Sequence, residues 1–215
     1  MKISVRGILF DMDGVLVSSL GSVERSWTKW ALAHGVDPAV AIQTAHGRRA
    51  IESVQFLRPD LDAREEMLRI EDMEVEDNEG LETLPGVVRF LQTLPPDRWA
   101  VVTSATHRLA LSRLRAGGIP TPERLVSADQ VTLGKPFPEP YLAGAKLLGL
   151  PPADCLVIED SPSGATAGHA AGCRVLATLF SHPLETLSAA DWIVRSLDDV
   201  QVSATPDQIE VEFDP

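Results

Sequence analysis

Residues 6–14 read RGILFDMDG: a short apolar run, Ile8 to Phe10, then two carboxylates, Asp11 and Asp13, with one residue between them, then a glycine. Consecutive apolar positions, rather than alternating ones, are how a strand buried on both faces reads. Ending such a strand in two acids raises an electrostatic problem, because neighbouring anions repel and resist desolvation. A bound cation resolves it.

From residue 84 onward, strand and helix patterns alternate. RWAVVTS (98–104), ERLVSAD (123–129), DCLVIED (154–160), CRVLATL (173–179) and ADWIVRS (190–196) read as strands. PGVVRFLQTL (85–94), HRLALSRLRAGG (107–118), EPYLAGAKLLGL (139–150) and SGATAGHAAG (163–172) have helical spacing with glycine at or near their ends. This alternation predicts an α/β fold with a mostly parallel sheet between helical layers. Residues 18–83 differ: Leu20, Val23, Trp27 and Trp30 recur at helical spacing, and no strand is expected there. They read as an all-helical insertion, with EVEDNEG (74–80) opening the return. The tail QVSATPDQIEVEFDP (201–215) is expected either to add an edge strand or to remain loose.

In a parallel α/β sheet, ligands bind beyond the carboxyl ends of the strands. The first predicted strand ends in Asp11-Met12-Asp13-Gly14 and the second in Thr103-Ser104. Lys135 follows the third, and the fourth ends in Glu159-Asp160. Chain order thus delivers carboxylates, hydroxyls, one ammonium and more carboxylates to a single edge. Four carboxylates, Asp11, Asp13, Glu159 and Asp160, call for a hard divalent cation, and Mg2+ suits them because it keeps some of its waters for substrate. One carboxylate of the pair can act as a nucleophile. The other can protonate a leaving alkoxide and later deprotonate water. Thr103 and Lys135 would hold phosphoryl oxygens, and Gly14 would let backbone N–H groups approach them.

The composition narrows the class. The 215 residues carry a formal net charge of −12 and are 44% hydrophobic. That suits a globular protein with a sizeable core and argues against nucleic acid as a partner. No run of about 18 apolar residues occurs, so no membrane span is expected. The opening MKISVRG is short and polar, and no leader is expected from it. Cys155 and Cys173 sit in apolar surroundings without CxxC spacing, which points to buried thiols and a cytoplasmic setting.

These motifs resemble those of the haloacid dehalogenase superfamily of phosphatases. DMDGVLV (11–17), VVTSAT (101–106), GKPFPEPY (134–141) and VIEDSPSGATAG (157–168) stand where its four motifs fall. The resemblance implies a Rossmann-like three-layer core, residues 1–17 and 84–215, and a helical cap, residues 18–83. It makes Asp11 the nucleophile and Asp13 the general acid/base. Thr103, Ser104 and Lys135 become phosphate binders. Asp11, the Asp13 carbonyl and Asp160 become magnesium ligands, with Glu159 nearby. VERSWTKWALAHG (23–35), HGRRAIESV (46–54), EGLETLPGV (79–87) and GAKLLGL (144–150) resemble the small sugar-phosphate phosphatases. Three positions depart from the usual pattern: Ser18 and Glu139 stand where Asp is frequent, and Ala105 where Gly is.

The reaction this implies is magnesium-dependent hydrolysis of a small phosphorylated sugar or polyol, by a chain expected to act as a monomer. The alternatives are a sugar phosphomutase of the β-phosphoglucomutase type and a phosphosugar-binding protein without catalysis. Within the cap, His46, Gly47, Arg48 and Arg49 are the candidates for substrate contact, since arginines suit phosphate and hydroxyl groups. Trp27 and Trp30 are expected in a core. Arg113 and Arg115 are expected on a solvated helix face, and His34, His107, His169 and His182, which show no metal-ligand spacing, are expected to be structural or exposed.

Overall fold

A computed structural model describes residues 1–214. In chain order the first elements are β1 (Lys2–Val5), β2 (Gly7–Phe10) and β3 (Val17–Ser18). Four helices follow: α1 (Leu20–His34), α2 (Pro38–Ala45), α3 (Ala50–Leu57) and α4 (Ala63–Glu76). Then come β4 (Glu82–Thr83), α5 (Val87–Thr93), β5 (Trp99–Val102), α6 (His107–Ala116) and β6 (Leu125–Val126). Next are α7 (Glu139–Leu148), β7 (Cys155–Glu159), α8 (Pro162–Ala170) and β8 (Arg174–Thr178). The chain closes with β9 (Trp192–Val194), β10 (Gln201–Ala204) and β11 (Ile209–Glu212).

The principal sheet is six-stranded, in the order β6-β5-β2-β7-β8-β9, and every pairing in it is parallel. Side chains of a strand alternate between faces, so β2 serves both helical layers. Ile8 and Phe10 point into a core with Val87, Phe90, Leu109 and Leu114 of α5 and α6. Leu9 points the other way, among Tyr141, Ala145, Ala165 and Ala167 of α7 and α8. Phe10 meets Phe90 and Trp99 edge-on at ring separations of 5.5 and 6.0 Å. Such pairs add about 0.5–1.5 kcal/mol each beyond the area they bury.

Register brings the strand ends together. Phe10 pairs with Val101 on one side and Ile158 on the other, so Asp11, Val102 and Glu159 come next at one level. After β2 the chain turns back on itself: the Gly14 N–H donates to the Val17 carbonyl at 2.8 Å.

Helices α1–α4 pack around a core of their own, Trp27, Trp30, Ala31, Ala41, Val54 and Ile70. The two indoles meet at 5.4 Å and 67°, as the helical spacing predicts. Contrary to the expectation of no strand in 18–83, the two chains joining the helices to the sheet pair as an antiparallel ribbon, Val17 with Thr83 and Ser18 with Glu82. A two-residue ladder has no periodicity to read. Of the two outcomes open for the tail, it forms strands, β10 at a sheet edge and β11 beside it, with Pro215 outside the described residues. β11 pairs antiparallel with both β1 and β10 in a separate three-stranded sheet. Its alternation, IEVE, buries Ile209 and Val211 against the main core and leaves the glutamates outside.

Candidate active site

The floor of the site lies at the carboxyl ends of β2, β5 and β7. Asp11 follows β2 and is 7% exposed, with its backbone N–H bonded to the Ile158 carbonyl at 2.9 Å. Lys135 arrives from the loop before α7 and is 2% exposed, its Nζ donating to Asp11 Oδ1 and Glu159 Oε1, both at 2.6 Å. That loop is pinned by Glu139, whose carboxylate accepts the Thr132 and Leu133 N–H groups at 2.7 Å each. Thr103, also buried, accepts the Ala105 N–H at 3.1 Å. Ser104 is half-buried and turns its hydroxyl towards the Gly47 carbonyl, 3.4 Å away.

Glu159 is fully buried and its carboxylate is crowded with donors. Oε1 accepts from Lys135 and from the Tyr141 hydroxyl at 2.6 Å; Oε2 accepts from the Asp160 and Ser161 N–H groups and the Ser161 hydroxyl. Burial opposes its charge, yet Lys135 and these donors hold its carboxyl below the ordinary value. Asp11 and Asp160 are less well compensated. Burial, with Glu159 and Asp13 adding to it, pushes Asp11 up to about 7 against the pull of Lys135. Burial, then Glu159 and Asp11, drive Asp160 well above the carboxylate range. For Lys135 burial works against the charge, but the two acids outweigh it and hold the ammonium above its ordinary value.

Three buried acids therefore share one ammonium. The deficit fits a hard divalent cation. Oxygens of Asp11, Glu159 and Asp160 lie within 4.8 Å of one another, and an all-oxygen donor set is what such an ion takes. Gly14 keeps the approach open: its φ is 80°, and a Cβ there would stand 1.8 Å from Asp160 Oδ2.

Above this floor is a cavity of about 800 Å³ whose other wall is the helical insertion. Asp11, Asp13, Thr103, Ser104 and Asp160 line it from below, and His46, Gly47, Arg48 and Arg49 from above. Lys135 and Glu159 stand beneath the floor rather than on it. Gly47, at φ 71°, brings the insertion down onto the sheet: the Ser163 hydroxyl donates to its carbonyl at 2.9 Å, and a Cβ would stand 2.6 Å from that oxygen. Arg49 is committed to structure. Its guanidinium binds Glu52 and the Val131 and Thr132 carbonyls. Arg48 is exposed and has no ion-pair partner among the described residues.

One expectation is corrected here. Arg113 is 4% exposed, not solvated; its Nη1 donates to Asp13 Oδ2 at 2.8 Å, and its Nη2 lies 3.3 Å from Glu74 Oε2. The signal was in the helix itself, since 109, 110, 113 and 114 form one stripe and the other three residues are core. Arg115 is exposed as expected. His182 lines the cavity with its ring 6.0 Å from that of His46, and its Nδ1 is 2.7 Å from the Ser181 hydroxyl, which in turn bonds Asp160 Oδ2. Burial lowers the pKa of both imidazoles. Nothing in the local sequence around His182 marks it. Arg64, Met67 and Glu71 of α4 also line the cavity and were not singled out by the sequence.

Residues 5–172 match the family model described as haloacid dehalogenase-like hydrolase. The chain belongs to this family. Among characterised relatives of this hydrolase, hexitol phosphatase A of Escherichia coli strain K12 is 40% identical over 206 residues, spanning 94% of this chain and 95% of that one. Glycerol-1-phosphate phosphohydrolase 2 of Saccharomyces cerevisiae is 31% identical over 231 residues, spanning 100% and 92%. The solved structure of CbbY from Rhodobacter sphaeroides in complex with phosphate shares the fold at TM-score 0.79 and 23% identity, covering 91% of this hydrolase and 96% of that chain. No helix among the described residues is long and apolar enough to cross a membrane.

Proposed function

We propose that this hydrolase cleaves the phosphoric monoester of a small sugar or polyol, with residues 18–83 as a cap over a core of residues 1–17 and 84–215. The observation that carries this reading is Asp11 beside Lys135 at the floor of the cavity between the sheet edge and the helical insertion, with Asp13 two residues on. The relatives named for hexitol and glycerol phosphates support the substrate class. In the first step an Asp11 oxygen bonds to phosphorus while the bond to the ester oxygen breaks, and a proton from Asp13 goes to that leaving oxygen. In the second step Asp13 takes a proton from water, the water oxygen bonds to phosphorus, and the bond to Asp11 breaks. Lys135 holds the Asp11 carboxylate in place and balances its charge. Thr103 and Ser104 offer hydroxyls at the level of the phosphoryl group. Asp11, the Asp13 carbonyl and Asp160 would hold Mg2+, which when bound neutralises the acids and the phosphate they receive. Arg48 and His46, on the cavity's upper wall, would meet the hydroxyl-bearing part of the substrate.

Phosphate release from hexitol phosphates, glycerol 1-phosphate and hexose 6-phosphates, with and without magnesium, tests this for the natural chain and for Asp11→Asn. Magnesium-dependent release that the substitution abolishes is expected. Isomerisation of a sugar phosphate without release would select a mutase, and no turnover of any ester would sink the reading.

A further inference from the structure

Most arginines that organise this molecule end on backbone carbonyls. Arg49 reaches the carbonyls of Val131 and Thr132, Arg58 that of His34, and Arg98 that of Arg6. Arg113 does not. It is buried, yet its one hydrogen bond is to Asp13, and its Nε and Nη2 have no hydrogen-bond partner among the described residues. Leaving buried donors unpaired is costly, and a merely structural arginine would not be expected to accept that cost. Its second contact, with Glu74 in the last turn of α4, is a charge contact across 3.3 Å without hydrogen-bond geometry.

The placement of Arg113 is also over-determined. Its helix α6 ends at Gly117, where a Cβ would stand 2.7 Å from Val17 Cγ1 and whose carbonyl accepts the Thr83 hydroxyl. Both partners belong to the ribbon that joins the helical insertion to the sheet. So the helix that carries Arg113 is fixed to the ribbon at its end, and Arg113 itself faces α4 through Glu74. Of the Asp13 carboxylate it takes only Oδ2, leaving Oδ1 as a buried oxygen without any partner.

We propose that Arg113 is a positioning residue for Asp13: it grips Oδ2 so that Oδ1 is the oxygen presented to the reacting ester, and the Glu74 contact ties that grip to the seating of α4. This rests on the phosphatase reading, in which Asp13 passes a proton to the leaving oxygen. Removing the grip lets the carboxylate rotate, which matters most where the leaving group most needs the proton.

The test is the leaving-group dependence of kcat/KM, which covers steps only through the cleavage of the ester. Glycerol 1-phosphate leaves as a poor alkoxide; p-nitrophenyl phosphate leaves as a stable phenolate and needs little proton transfer. The ratio of the two values within one preparation is independent of how much of it is folded, so a purely structural role would not move it. Arg113→Met is expected to lose about 100-fold on glycerol 1-phosphate, the scale of general-acid catalysis, and about tenfold less than that on p-nitrophenyl phosphate. Arg113→Lys, which keeps a cation near Asp13, is expected to recover part of the ratio. Should Arg113→Met fail to fold, the double variant Arg113→Gln with Glu74→Gln removes the guanidinium without stranding Glu74, and the same ratio change is expected there. Equal losses on the two esters would overturn the proposal. Wild-type protein that turns over neither ester would instead overturn the phosphatase reading beneath it.

Discussion

The molecule buries two trios of carboxylates, and they are handled in opposite ways. On α4, Glu66, Glu71 and Glu74 are all about 5% exposed, yet each has a base beside it, the one at Glu74 being shared with Asp13. Glu66 meets Arg69, His34 and the Trp30 indole N–H; Glu71 meets Arg108; Glu74 meets Arg113. At the sheet edge, Asp11, Glu159 and Asp160 converge on one another and share the single ammonium of Lys135. Burying a charge is tolerable when it is paired and hydrogen-bonded. Burial alone therefore does not mark a site. What marks the sheet edge is the imbalance, anions gathered beyond what the protein's own cations can neutralise, which is an arrangement suited to an incoming ion.

The comparison breaks most directly at Lys135. Lys135→Met leaves Asp11 and Glu159 buried with no cation, and should cost about 3–5 kcal/mol of folding stability, read by urea denaturation. A loss below 1 kcal/mol would mean that the sheet-edge acids are not held by that ammonium. Magnesium provides the next contrast. Without metal, the folded-state pKa of Asp11 is raised to about 7 from 3.8. A group shifted upward favours the folded state below its unfolded value and loses that contribution as pH rises through the folded one. Metal-free protein should thus lose stability between about pH 4 and 7 through this group, and magnesium, which needs the ionised carboxylate, should restore more at pH 8 than at pH 5. At a hundredfold excess over its Kd the ion would add about 2.7 kcal/mol at pH 8. Thermal unfolding with and without magnesium at the two pH values measures this, and an equal shift at both would refute it. The smallest effect is expected on α4. Glu71→Gln removes a buried charge whose partner Arg108 is 54% exposed and keeps Asp72 at 2.5 Å, so less than about 1 kcal/mol should be lost. A cost comparable to that of Lys135→Met would erase the distinction between the two trios.

Much of the fold is legible in the chain. β2 and β7 are apolar at consecutive positions because both their faces are covered, and the acids that follow them stand out against that background. The tail was ambiguous because its period-2 pattern announces a half-buried strand without naming a partner. β1, the first strand of the chain, is one of its two partners, more than 200 residues away in sequence. The ribbon of Val17 and Thr83 was invisible for a different reason: two residues cannot express a period.

At the site, chain order already says which groups reach the sheet edge: Asp11, Asp13, Thr103, Lys135 and Asp160 each follow a strand or the loop after one, and strand direction alone brings them to one side. The spacing of Trp27 and Trp30 likewise says that the insertion is helical. How the charges pair was settled by packing between distant segments. Whether an arginine on an amphipathic helix faces water or a buried acid depends on what packs above it, and Arg113 meets Asp13 from 100 positions away. Arg49, which lines the cavity, also reaches carbonyls more than 80 residues distant, and nothing in its own sequence names them. The difference is one of range. Hydrophobic period and strand polarity are written into neighbouring residues, whereas the partner of a charge is whichever group the folded chain brings within about 4 Å.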